Sequence, residues 1–194
     1  MYCGHKLKDG GLVGVVCGPM KSGKSNELIS LVRKLQCQDQ VDFHVYKSII
    51  DNRKSVEVVD SRDGVDITCT PIADPYQLLT EKTHLYLLDE AQFFPKTIVP
   101  VVEELLWRQK HIILFGLDLD FRGEPFGAMP ELLSMADYVK KLTAYCDVCG
   151  DIGRRTQRLI NGEPAPYNSP LIAVGDKDLY EVRCKQHHIV PEKP

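Results

Sequence analysis

A chain of 194 residues, 43% hydrophobic and 26% charged, is long enough for one full domain core with a small appendage and too short for a multidomain enzyme. Its formal net charge of -3 excludes a global positive field of the kind that gathers nucleic acid, leaving only a local basic patch open. The opening "MYCGHKLKDGG" lacks the apolar core of a signal peptide, and no run approaches the roughly 18 apolar residues of a membrane span, so a cytoplasmic setting without a membrane partner is expected.

In chain order, "LVGVVC" (12–17) reads as a buried strand, and the periodic segment 25–36 after it reads as an amphipathic helix. Further strands are expected at 41–46, 84–89, 111–116 and 140–145, with helices at 97–108 and 129–136 between them. This alternation indicates an α/β fold, a mainly parallel sheet flanked by helices. After Tyr145 Gly, Pro, Arg and Asn become frequent, followed by the short run "LIAV" and a Cys/His cluster. A boundary is therefore expected near residue 143, dividing 1–143 from a small domain at 144–194, and "QHHIVPEKP" is expected to end the chain as a disordered tail.

Between the first strand and helix lies "GPMKSGKS", which fits G-x-x-x-x-G-K-[ST] at Gly18, Gly23, Lys24 and Ser25. Its glycines let backbone N–H groups turn inward around a polyphosphate, and the helix N-terminus adds positive partial charge. Lys24 then reaches the β- and γ-phosphates of ATP, and the Ser25 hydroxyl ligates Mg²⁺. The apolar run "LYLLDEAQFF" carries Asp89 and Glu90 where such folds keep acidic groups for metal and nucleophile.

Of seven cysteines, Cys17 and Cys69 end apolar runs as small buried hydrophobes do. In a reducing compartment these cysteines form no disulfide framework. Cys146 and Cys149 form C-x-x-C, and after thirty-four residues Cys184 and His187 form C-x-x-H. Two such pairs suit tetrahedral Zn²⁺ with a closed ligand shell, hence a structural metal tying the ends of a long loop. His188 is the alternative fourth ligand, and spacing favours His187.

"GPMKSGKS", "DEAQFF", "GLDLDFRGEPFG", the C-x-x-C pair, "TQRLINGEP" and "VGDKDLYEVRCKQHH" together resemble the zinc-containing thymidine kinases, the family of the cytosolic animal enzyme and the common bacterial form. The resemblance implies a P-loop (RecA-like) kinase domain with a small zinc-anchored lasso domain, acting on ATP and thymidine. It implies that Glu90 is the general base and that Arg53 and Arg158 lie near the transferring phosphate. It adds Met20, Ser22, Asp89 and Gln92 to the ATP and Mg²⁺ set. For thymidine it implies a pocket of Met20, Phe93, Leu117, Phe121 and Tyr180, and a loop with Thr156, Leu171, Ala173, Val174 and Gly175 whose backbone reads the base. The stretch 150–183 would fold over the nucleoside and exclude water.

Phe93, Phe94 and Phe121 also read as core residues, and Arg154 and Arg155 as solvated loop residues. His187 stands where many family members have a cysteine, and "VVDSRDG" (58–64) departs from the family pattern, so no site residue is drawn from it. Feedback inhibition by thymidine triphosphate and a homotetramer are implied by the resemblance alone. Rival readings stay open here: a P-loop kinase of another small acceptor, such as another nucleoside, a motor-type ATPase that hydrolyses ATP without an acceptor, and a nucleotide-gated zinc ribbon that binds nucleic acid, which the net negative charge disfavours.

Overall fold

A computed structural model of the chain describes residues 10–37, 41–49, 58–60, 66–172 and 180–194. Its strands are β1 (Leu12–Cys17), β2 (Phe43–Ser48), β3 (Val58–Asp60), β4 (Asp66–Thr68), β5 (Thr70–Ile72), β6 (Leu85–Asp89), β7 (His111–Gly116), β8 (Tyr138–Lys141), β9 (Ala144–Tyr145), β10 (Ile152–Gly153), β11 (Arg155–Ile160), β12 (Glu163–Pro164) and β13 (Tyr180–Arg183). Helices are α1 (Lys24–Gln36), α2 (Ile98–Trp107) and α3 (Met129–Met135). The main sheet has six strands in the order β5-β2-β6-β7-β1-β8, and its neighbouring strands pair in parallel.

The two-residue period of the strands sorts their side chains onto opposite faces. Tyr86, Leu88, Ile112 and Leu114 pack on one face with Ile98, Val101, Val102 and Leu105 of α2 and with Met129 and Leu132 of α3. Leu85, Leu87, Ile113 and Phe115 pack on the other with Leu28, Val32 and Leu35 of α1. Both faces being covered explains why β6 and β7 read as continuous apolar runs. Phe94 belongs to the first face, and Cys17 and Cys69 are buried, as expected.

The short strands β3, β4, β5 and β10 to β13 were not expected, and three expected features take another form. The second strand spans Phe43–Ser48, two residues later than expected, and its ladder with β6 opens with Asp42 O accepting from Leu85 N–H at 3.0 Å. The run 140–145 is not one strand. Leu142 N–H makes the last ladder bond to β1, to Cys17 O at 2.7 Å, where β1 itself ends, and β9 then pairs with β10 in a separate two-stranded sheet. The end of the chain is ordered and strapped down: buried Gln157 exchanges two hydrogen bonds with the backbone of Ile189 (2.8 and 2.9 Å), and Tyr167 N–H donates to Pro191 O at 2.8 Å. Sequence reading missed this strap because its partners lie some thirty residues upstream. Among the described residues no helix is long and apolar enough to cross a membrane.

At the N-terminal edge of the sheet His111 is buried, its Nδ1 meets no partner among the described residues, and its ring lies edge-on to His84 at 5.2 Å. Burial, and then the neighbouring His84, hold its pKa below the ordinary value of 6.5. The folded state therefore keeps this imidazole neutral, while the unfolded chain takes up the proton first as pH falls. The stability it contributes is intact above about pH 6.5 and is lost as pH drops toward the folded pKa. Thermal unfolding midpoints are expected to fall on acidification below about pH 6.5, and His111→Phe is expected to flatten that slope. An unchanged slope in the variant would remove His111 as the cause.

Candidate functional site

The site is built at the carboxyl ends of the parallel strands, where α/β sheets open a crevice. β1 delivers the phosphate loop and β6 delivers Asp89 and Glu90, with β7 between them. Gly18 has φ 149°, and a Cβ there would stand 2.6 Å from Leu142 O, so no other residue fits. Gly23 caps α1 at φ 89° and ψ 17°, the left-handed conformation that directs the chain into the helix. The first-turn amides of α1 have no carbonyl in their own helix to bond and face the loop. Lys24 Nζ folds back onto the carbonyls of Pro19 (2.8 Å) and Gly18 (3.2 Å). Ser22 Oγ is buried in the loop without a partner among the described residues, which suits a ligand oxygen there. The Ser25 hydroxyl and the buried Asp89 carboxylate are hard oxygen donors, the class that Mg²⁺ takes.

Glu90 sits just past β6 in the left-handed region, φ 51° and ψ 46°, a strain of about 1 kcal/mol that a side chain tolerates where its direction matters. Gln92, 2% exposed, aims it. Its Nε2 donates to Glu90 Oε2 at 2.5 Å and its Oε1 accepts from Leu117 N–H at 2.9 Å. Gly116 leaves room for that amide, since a Cβ would lie 2.7 Å from Gln92 Oε1. Gln92, expected among the ATP and Mg²⁺ contacts, thus has its amide engaged on both sides within the protein.

Met20, Phe93 and Leu117 come together as expected, and Phe126 joins them, its ring edge-on to Phe93 at 5.7 Å and 88°. Phe126 escaped sequence reading, although it is the second aromatic of the "DFRGEPF" motif that already supplied Phe121. Phe121 lies apart from this cluster, its ring 5.6 Å from the guanidinium of Arg158. Arg158 is buried on β11, opposite Tyr180 in the β11–β13 register, and donates through Nη1 to Pro170 O. Its Nε is buried without a partner among the described residues, a donor suited to a ligand. Leu171 is 37% exposed. Arg53, Ala173, Val174 and Gly175 lie outside the described residues.

Cys146, Cys149, Cys184 and His187 present ligand atoms all within 4.8 Å of one another. The Cys149–Cys184 sulfurs are 3.9 Å apart, and His187 Nδ1 is 3.8 Å from Cys146 Sγ and 3.2 Å from Cys184 Sγ. A zinc tetrahedron has S–S edges of about 3.8 Å and S–N edges of about 3.5 Å, so the set fits the ion, whereas a disulfide needs sulfurs at about 2 Å. Burial pushes the Cys146 thiol up, but hydrogen bonds from the backbone of Cys184, Cys149 and Val148 bring it down to about 6, toward the thiolate a metal needs. His188 is excluded from the set because its Nε2 donates to Phe121 O at 2.9 Å. Asp147, inside the first ligand pair, holds β13 through its backbone N–H to Val182 O (2.8 Å) and its Oδ2 from Val182 N–H (2.6 Å).

Two links join this appendage to the phosphate loop. Met20 N–H donates to the buried Thr156 Oγ1 at 3.0 Å, and Lys21, at φ 62°, pairs with Asp147 at 3.8 Å. Arg155, expected as a solvated loop residue, instead donates through Nη1 to Gly123 O at 3.0 Å, because Gly123 has no side chain to block it. Arg154 is exposed as expected.

Metal analysis of the purified protein is expected to find one zinc per chain, and Cys184→Ser is expected to abolish it. Full zinc occupancy in that variant would contradict the ligand set.

Among solved structures, the chain is similar to the ATPase DotB of Legionella pneumophila, at 13% identity over 75% of this chain and 44% of that one, with a TM-score of 0.43. It is also similar to domain III of the replication initiation protein DnaA of Thermotoga maritima, at 17% identity over 71% of this chain and 56% of that one, with a TM-score of 0.42. This chain thus spans about half the length of either. The family described as thymidine kinase matches residues 11–188, a span that holds the phosphate loop, the acidic strand end and all four cysteine and histidine ligands. On that match over nearly its whole length, the chain belongs to the thymidine kinase family.

Proposed function

We propose that the protein transfers the γ-phosphoryl group of ATP to the 5′-hydroxyl of thymidine, giving thymidine monophosphate and ADP, a salvage step that feeds DNA synthesis. The observation that carries this reading is the hydrogen bond from Met20 N–H in the phosphate loop to Thr156 in the appendage. It makes the loop suited to a phosphoryl donor and the hairpin assigned to the acceptor one unit.

In this reading residues 1–143 bind ATP, and residues 144–194 hold the metal and read the acceptor. Lys24 exchanges the carbonyls of Gly18 and Pro19 for β- and γ-phosphate oxygens, and the loop amides with Ser22 Oγ take the rest. Ser25 and Asp89 would hold Mg²⁺, which when bound would supply positive charge against the β- and γ-phosphates. Met20, Phe93, Leu117 and Phe126 enclose the base, with Phe121 and Tyr180 beside them and the backbone of the loop through Leu171, Ala173, Val174 and Gly175 reading its polar edge.

Glu90 accepts the proton of the 5′-hydroxyl as that oxygen forms its bond to the γ-phosphorus and the bond to the bridging oxygen of ADP breaks. Arg158, with Arg53, neutralises the charge spread over the transferring group, a task suited to a planar guanidinium. The reaction belongs in the cytoplasm, where ATP is present and thiols stay reduced. Thymidine triphosphate acts as a feedback inhibitor, and the enzyme works as a homotetramer; both rest on family resemblance.

Incubation with ATP and Mg²⁺ is expected to phosphorylate thymidine, with far less product from deoxycytidine or deoxyguanosine and little hydrolysis without acceptor. ATP hydrolysis with no transfer to any nucleoside would overturn the substrate assignment. Glu90→Gln is expected to leave ATP binding and zinc content unchanged while slowing transfer about 10²-fold or more. Turnover within a few-fold of the parent would remove Glu90 from the chemistry.

A further inference from the structure

Arg122 has no part in the reading above, although it lies in the motif "GLDLDFRGEPFG". It stands at the tip of a tight turn. Asp120, buried, accepts through Oδ1 from the N–H groups of Arg122 (2.8 Å) and Glu124 (3.0 Å), while Gly123 N–H donates to Asp120 O at 3.1 Å. From this fixed base the guanidinium reaches across to the stretch between β12 and β13. Nε donates to Tyr167 O at 2.7 Å and Nη2 to Ser169 O at 2.9 Å. The same group lies 4.9 Å from the centroid of the Tyr167 ring and 5.1 Å from that of Phe121.

The next carbonyl, that of Pro170, accepts from Arg158. Two arginines thus fasten the Tyr167–Pro170 stretch along its carbonyls, and both guanidiniums lie against the Phe121 ring. Tyr167 is pinned further, its hydroxyl donating to the Glu124 carboxylate at 3.2 Å and its N–H to Pro191 O at 2.8 Å. Lys193 Nζ closes the ring of contacts on Arg122 O at 2.7 Å. None of these groups belongs to the clusters that cover the two faces of the main sheet, so the fold of the sheet does not need them.

We propose that Arg122 is a positioning residue for the acceptor site: it holds the Tyr167–Pro170 stretch so that Arg158 and Phe121 are presented together, and the chain enters Leu171 from a fixed point. The inference rests on the acceptor assignment made above. Only arginine serves here, because two carbonyls and two ring faces must be met by one planar group with fixed donor directions. A lysine ammonium in its place can meet one carbonyl at a time.

The test compares the full-length, zinc-loaded protein with Arg122→Met and Arg122→Lys, with Tyr167→Phe as a control that keeps both carbonyls. Amide hydrogen exchange across residues 166–172 is expected to quicken about tenfold or more in both Arg122 variants, while α1 and the β9–β10 hairpin exchange as before. Thymidine KM is expected to rise about tenfold or more and kcat to fall with it, because Arg158 loses its fixed place, with ATP KM unchanged, and lysine is not expected to rescue either. Unchanged exchange in that stretch, an equal loss for ATP and thymidine, or full rescue by lysine would each overturn the proposal. If the parent protein phosphorylates no nucleoside, the acceptor assignment fails by itself, and hydrogen exchange alone decides whether Arg122 fastens the stretch.

Discussion

The closure of one long loop is the constraint on which the site depends. Cys149 and Cys184 are 35 positions apart, and bringing the ends of such a stretch together costs roughly 3 kcal/mol in chain entropy before any contact forms. The intervening sheet is too small to supply that from burial, since β11 pairs with β13 over four residue pairs and with β12 over two. The four-ligand cluster at the ends of the stretch has the dimensions for zinc, which when bound would supply the missing free energy. Once the ends are fixed, the register of β11 against β13 follows, and with it the placement of Thr156 against the phosphate loop and of Arg158 against Phe121.

The main sheet has a different task. Its strands bring the phosphate loop and the acidic strand end to the same edge and hold them rigid through two covered faces. Glu90 is not left to its own rotamer preferences. Its backbone is held in the left-handed region and its carboxylate is fixed through Gln92 to the backbone of Leu117, a residue of the apolar cluster. In the transfer we propose, preorganisation of this kind would let Glu90 take up a proton without reorganising.

Much of this was legible in the sequence, for physical reasons that differ from element to element. β1 and β7 span their expected limits because both are buried on two faces and bounded by glycine or by a change of polarity. The ligand pairs were legible because a metal imposes spacing on the chain locally. What escaped was carried by contacts between distant residues. Nothing near Met20 announces Thr156, 136 positions away, and nothing in the terminal nine residues announces Gln157 or Tyr167. The run 140–145 read as one strand because its residues have strand character throughout, whereas β8 loses its partner where β1 ends at Cys17 and turns into the phosphate loop. The engagement of Gln92 with Glu90 and Leu117 is likewise a matter of three elements meeting, and its sequence neighbours show only an apolar strand end.

The central claim is that the metal-closed hairpin and the phosphate loop work as one unit on thymidine. The most direct measurement strips the metal with a chelator and follows ATP binding and thymidine phosphorylation on the same sample, before and after zinc is restored. The account predicts that ATP affinity survives, that transfer to thymidine is lost with a raised thymidine KM, and that zinc restores it. A metal-free protein that phosphorylates thymidine as well as the loaded one would contradict it.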